Sequence, residues 1–243
     1  MRKAALILTV LGLVPVLIYG GLTLAFRGGA VGFGTVFGAL PWLVPALGIG
    51  ALAALVGFVV MLAKRAPVPA LASLVVALAA GAMAYGPVTM KGQAAAVPFI
   101  HDVTTDTADP PVFVAILPLR ADAPNPPDYD REQTEAQLGY YTDLGPLLVE
   151  RPYAEVFGQA VEAVEAEGMR VVAAVPREGR IEAVATTRWF GFKDDVVLRL
   201  RDAHGKATVV DMRSKSRMGG SDLGANAARI EAVLGRIEAA SAA

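Results

Sequence analysis

The densest run of side chains able to do chemistry is RSKSRMGGSDLGANAARI, Arg213 to Ile230. It offers Arg213, Ser216, Arg217, Ser221, Asp222, Asn226 and Arg229. Guanidinium groups present rigid forks of N–H donors that match oxyanions. Hydroxyl and amide groups add donors and acceptors. Asp222, Asn226 and Arg229 stand at i, i+4 and i+7, so a helix through them shows all three on one face. Backbone N–H groups at a helix start favour anions, and Gly219 and Gly220 permit a tight bend before it. The chemistry such a set supports is recognition of an anionic or hydroxylated ligand. The competing expectation, and the favoured one, is a strand-to-helix junction stapled by Arg–Asp pairs and side-chain-to-backbone bonds.

Two other clusters are weaker. Trp189, Phe190 and Phe192 precede Lys193, Asp194 and Asp195. Aromatic side chains beside paired carboxylates could line a groove or position a general acid. A strand end with core aromatics and an acidic turn explains them more simply. The segment IHDVTTD with Asp109 collects His101, Asp102, Asp106 and Asp109. Oxygen ligands with one imidazole could hold a divalent cation, but the spacing fits no calcium loop, and local Asx and Thr turns account for it. His204, in DAHGK, reads as an exposed turn residue. There is no Gly-rich phosphate loop, no paired-His zinc helix and no Ser nucleophile between glycines. No metal and no cofactor is therefore expected.

The elements that must position these residues follow from periodicity. Phe113–Leu119 (FVAILPL) reads as a buried strand, and Ala123–Asp130 (APNPPDYD) as a Pro-rich loop. Arg131–Tyr141 is expected as a short helix or an ordered loop. Pro152 opens a helix whose apolar residues are Tyr153, Phe157, Ala160, Val161 and Val164, and Gly168 closes it. Strands are expected over Met169–Val175, Arg180–Phe190, Val196–Arg201 and Ala207–Arg213. Val196, Leu198 and Leu200 share one face, with Arg199 and Arg201 opposite, the pattern of a half-buried antiparallel strand. A last helix, about Asp222–Ala239, carries a stripe of Leu223, Ala227, Ile230, Leu234 and Ile237, capped by Ser221 or Asp222. Hairpins between helices indicate an α+β domain, an antiparallel sheet with helices on one face.

The preceding half is different. The first acidic residue in the chain is Asp102, and only six basic side chains come before it: Arg2, Lys3, Arg27, Lys64, Arg65 and Lys91. They divide the segment into three apolar runs, Ala4–Phe26, about Ala39–Ala63 and about Pro67–Met90. Each is long enough to cross a hydrocarbon core of roughly 30 Å as a helix. Pro41 and Pro45 are expected in or near the first turn of the second span, after a glycine-rich loop, Arg27–Gly38. Gly34 and Gly38 have helix-packing spacing, more readily chance or intramolecular packing than a dimer face. Gly92–Phe99 reads as a linker. Arg2, Lys3, Lys64 and Arg65 mark the cytoplasmic side and outnumber Arg27 and Lys91 on the other. Three spans then place everything after Lys91 outside.

After Asp102 the sequence GRIEAVATTRWFGFKDDVVLRLR, from Gly179, joins IHDVTTDTADPPVF near Ile100 and VDMRSKSRMGGSDLGANAARI from Val210. Together these stretches resemble the bacterial family known as domain of unknown function 1499, over about Ile100 to Leu234. The Arg-Ser-x-Ser-Arg run followed by Ser-Asp-Leu-Gly-x-Asn carries the likeness. The resemblance brings no activity with it, and it makes Arg213–Arg229 the first place to test.

The expectation is a bacterial inner-membrane protein: a membrane domain over 1–91 with three transmembrane helices, and an extracytoplasmic α+β domain over 92–243. Its partners would be the lipid bilayer and an envelope protein or small anionic ligand. The second half holds 16 basic and 23 acidic side chains, a balance that disfavours nucleic acid. A non-enzymatic binding module leads. The alternative is an envelope hydrolase or transferase using Asp194, Asp195 and the Arg213–Arg229 groups.

Overall fold

The computed structural model describes residues 1–242 and divides into two compact units, Met1–Gly92 and Gln93–Ala243. In the first, α1 (Arg2–Arg27), α2 (Phe33–Ala63) and α3 (Pro67–Ala96) are each long and apolar enough to cross a membrane. α1 and α2 meet where both lack side chains. A Cβ on Gly12 would lie 2.6 Å from the Gly50 carbonyl oxygen, and one on Gly57 3.0 Å from that of Ala5. Small residues permit such close backbone approach. Thr9 Oγ1 and Ser73 Oγ, 2.7 Å apart, join α1 to α3.

The second span differs from expectation. α2 starts at Phe33, so the glycine-rich loop shrinks to a short turn, and Pro41 and Pro45 lie inside the helix. Phe33 and Phe37, one turn apart, stack at 4.3 Å and support that first turn. Gly34 and Gly38 approach nothing. α3 likewise continues to Ala96, through most of the expected linker.

In the second unit β1 (Asp102–Thr104) leads through a long covering segment to α4 (Thr134–Tyr140) and β2 (Leu147–Val149). α5 (Tyr153–Ala166), β3 (Arg170–Val175), β4 (Arg180–Thr186), β5 (Lys193–Ala203), β6 (Ala207–Ser216) and α6 (Ala225–Ala242) follow. The strands form one antiparallel sheet in the order β1-β6-β5-β4-β3, with β2 sharing the β1 side of β6. α5 and α6 cover one face. There Val103, Ile181, Val196, Leu198, Val210 and Met212 pack against helix residues such as Val156, Ala160, Ile230 and Ile237. Pro152 precedes α5, and Gly168 ends it in the left-handed conformation at φ +72°.

Residues 105–130 form a strap over the opposite face. Phe113–Leu119, expected as a strand, is irregular chain followed by a 3-10 turn over Leu117–Arg120. Its backbone donors go elsewhere: the buried Glu182 carboxylate accepts from the N–H groups of Val114, Ala115 and Ile116. Pro110, Pro111 and Pro118 have no N–H to offer a ladder. Phe113 and Ile116 pack on Val184 and Val197 beneath the strap. β5 is consequently buried on both faces at Val196 and Val197, where a half-buried strand was expected. α4 protects the β1 edge. Gln133 Oε1 accepts from His101 N at 2.8 Å, and Gln137 accepts from Thr104 N at 3.1 Å while donating to Thr104 O at 2.7 Å. Two glutamines one turn apart thus act as the missing neighbouring strand.

Candidate functional site

The expected polar cluster lies on two faces of the sheet. β6 runs as a regular strand through Ser216, so its residues alternate sides. Arg213, Lys215 and Arg217 point beneath the strap. Ser214 and Ser216 point toward α6.

Beneath the strap, Asp102 sits directly across from Lys215 on β1, and Asp195 directly across on β5. Arg213 grips Asp102 with both prongs of its fork, Nε to Oδ1 and Nη2 to Oδ2, each at 2.8 Å. Its guanidinium lies between the rings of Phe113 and Tyr129, 4.8 and 5.4 Å from their centroids. Lys215 Nζ reaches Asp102 Oδ2 at 2.9 Å. Arg217 takes Asp195, with Nη2 to Oδ1 at 2.7 Å. Arg120, on the strap itself, has its Nε 3.5 Å from Asp195 Oδ2. All six of these charged groups are buried.

The strap is held by the same cations. Arg213 donates to the carbonyls of Pro111 and Pro127, Lys215 to that of Asp128, Arg217 to that of Leu119, and Arg120 to that of Asn125. A proline-rich segment supplies carbonyl acceptors with few matching N–H donors, so buried cations are suitable partners. Burial alone would raise the Asp102 pKa, but the Arg213 and Lys215 charges outweigh it and hold the carboxyl below its usual range. Burial pushes the Lys215 pKa down, opposed by Asp102. His101 is also lowered, first by burial and then by Lys215.

On the helix face Arg229 donates to Asp194 Oδ2 at 2.7 Å, to Ser214 Oγ at 2.8 Å and to Asn226 Oδ1 at 2.6 Å. Asn226, fully buried, donates to His101 O at 3.1 Å and Ser216 Oγ at 3.2 Å. Asp222 lies just before α6, so it caps the helix and does not share its face with Asn226 and Arg229. Its oxygens accept from Gly224 N and Asn226 N at 2.9 and 3.0 Å. Ser221 Oγ accepts from Leu223 N. Burial raises the Asp222 pKa.

Of the residues picked from sequence, Ser216, Asn226 and Arg229 converge. Arg213 and Arg217 lie across the sheet from them, and Ser221 and Asp222 serve the connector. Asp194 and Asp195, neighbours in β5, point to opposite faces and are held by Arg229 and Arg217 respectively. They cannot work as a pair on one substrate atom. Sequence reasoning missed Arg120, Ser214 and Lys215. The signal was present for two of these: continuing the strand past Arg213 makes RSKSR alternate cation and serine.

The His101–Asp109 cluster also separates. Asp106 and Asp109 both pair with Arg199, whose Nε also reaches Asp211. Among the described residues, no three His, Asp or Glu side chains form a group that could hold a metal. His204 is exposed in its turn at φ +61°.

The profile of a family described as protein of unknown function, DUF1499, matches residues 102–237. The chain belongs to that family. The match starts at the carboxylate that anchors Arg213 and Lys215, and it extends into α6 as far as Ile237, so it encloses both polar clusters and the strap. The DUF1499 region is thus the strap-covered sheet with its two helices, while α1–α3 lie outside it. No curated protein matches the chain.

Proposed function

We propose that this DUF1499 protein is a multi-pass protein of the bacterial inner membrane whose C-terminal domain is an extracytoplasmic binding module for a small ligand or envelope partner, and not an enzyme. The observation that carries the non-enzymatic reading is the engagement of the polar groups. Asp102, Asp194 and Asp195 are each held by an arginine within 2.8 Å and point into covered junctions. A general acid or base must reach a substrate proton, and these carboxylates face guanidinium groups instead.

Location is supported by the three apolar helices and by the bias of Arg2, Lys3, Lys64 and Arg65 over Arg27 and Lys91. α3 ends at Ala96 and β1 begins at Asp102. Five residues lie between them.

Reporter fusions after Gly92 test the topology. An exported phosphatase should be active there and a cytoplasm-only fluorescent reporter dark; the reverse pattern would place the domain in the cytoplasm. Turnover of an envelope extract by the full-length protein in detergent, lost in Asp195→Asn, would replace the binding reading with the enzymatic one.

A further inference from the structure

The charges beneath the strap are unevenly distributed. Four cations, Arg120, Arg213, Lys215 and Arg217, share this end of the face with two carboxylates, Asp102 and Asp195. Nearby acids do not make up the difference. Asp130 turns its oxygens to Glu132 N and Gln133 Nε2, and Asp128 is exposed and contributes its carbonyl. At the other end of the face the imbalance has the opposite sign, with Asp106, Asp109 and Asp211 around Arg199 and Arg201.

Arg120 is where the surplus is least answered. Its side chain is 2% exposed, and its Nε and Nη1 have no hydrogen-bond acceptor. Among the described residues its donated bonds run from Nη2 to the Asn125 and Pro126 carbonyls. Burial lowers the Arg120 pKa most; Asp195 opposes that shift, and Arg217 and Arg213 add to it. Carbonyl dipoles satisfy donors but cancel no net charge. Asp195 is an ion-pair neighbour at 3.5 Å, but it takes no hydrogen bond from the buried Nε and Nη1, and an arginine cannot shed its proton to escape their desolvation.

We propose that the Arg120 end of the strap-covered face is a binding site for a small oxyanion group, with Arg120 Nε and Nη1 as the unsatisfied buried donors and Arg217, Arg213 and Lys215 supplying the surrounding positive potential. Phosphate is the fitting class, since its oxygens take several N–H donors and its charge offsets the surplus. The phosphate belongs to a soluble metabolite or to a lipid headgroup. This inference rests on the binding-module reading and gives that module a ligand class and a place.

The test uses the full-length protein with 15N-labelled arginine side chains, titrated with inorganic phosphate in neutral detergent at constant ionic strength against chloride. The Arg120 Nε–H resonance, assigned by its loss in Arg120→Lys, should shift and saturate. The domain should melt about 3–6 °C higher at tenfold saturation. Arg120→Gln should abolish that rise. A second arm places the protein in phosphatidylcholine nanodiscs with and without phosphatidic acid. Saturation by free phosphate assigns a soluble ligand, and a shift only with phosphatidic acid assigns a headgroup; either supports the site. No shift of the wild-type Arg120 resonance in both arms overturns it, whether or not Arg120→Gln folds. That failure would leave the topology result untouched, and a cytoplasmic Gly92 reporter would leave the anion site untouched.

Discussion

On its helix-covered side β6 presents Val210, Met212, Ser214 and Ser216, and on its strap-covered side Asp211, Arg213 and Lys215, with Arg217 following just beyond its end. Both sides are buried, yet they are built by different physics. The helix side is mostly apolar contact, which is non-directional and forgives volume-conserving exchange. The strap side is held by named pairs: Arg213 and Lys215 on Asp102, Arg217 on Asp195, with carbonyls of a proline-rich chain closing over them. Such pairs add little over good apolar packing, but breaking one is costly because a charge is stranded. The strap side should therefore be the more brittle of the two and the more specific.

The largest expected effect follows from that contrast. Asp102→Ala strands two buried cations and should destabilise the domain by about 4 kcal/mol, read as a shifted denaturant midpoint of the full-length protein. A loss under about 1 kcal/mol would remove the distinction between the faces. Next comes the apolar side. Ile230, fully buried against the sheet, should cost about 3 kcal/mol as Ile230→Ala and about 1 kcal/mol as Ile230→Val. A graded response there, against an abrupt one at Asp102, sharpens the comparison. Asp222→Ala touches neither face directly and removes the cap of α6, so about 1 kcal/mol is expected. A penalty as large as that of Asp102→Ala would make the connector part of the ionic network.

The smallest effect is a difference in acid response within the strap side itself. The folded-state pKa of Asp102 lies below the usual 3.8, because Arg213 and Lys215 outweigh burial. Its stabilisation is present above 3.8 and is lost as pH falls through that depressed value. Asp211 is the reverse: burial outweighs Arg199 and Arg201 and raises its pKa above 3.8. Its folded form takes up a proton first, so stability from this group rises as pH falls through the raised value. Carboxyl carbon resonances should show Asp211 titrating before Asp102 on acidification. The opposite order would dissolve the difference between the two ends of the face.

Much of the fold was legible locally. The long helices announced themselves by runs of apolar residues, α5 by Pro152 and Gly168, and β3 to β6 by alternation. Phe113–Leu119 was misread because hydrophobicity without alternation does not distinguish a strand from a packed strap. The deciding interaction, Glu182 on the N–H groups of residues 114–116, comes from 66 to 68 positions away. The polar cluster was found as a composition but not as a geometry. Ending β6 at Arg213 hid the alternation that sends Arg217 to one face and Ser216 to the other.

By itself the sequence determined the change in charge composition at Asp102, the three apolar helices, the family and the α+β character of the second unit. These follow from hydropathy, periodicity and motif, all read within a short window. Only the tertiary structure decided which arginine meets which carboxylate, and that one of them, Arg120, lies 3.5 Å from Asp195 without donating a hydrogen bond to it. The partners of Arg217 and Lys215 lie 22 and 113 positions away. Charge in water is cheap almost anywhere, and it becomes specific only where the fold removes the water.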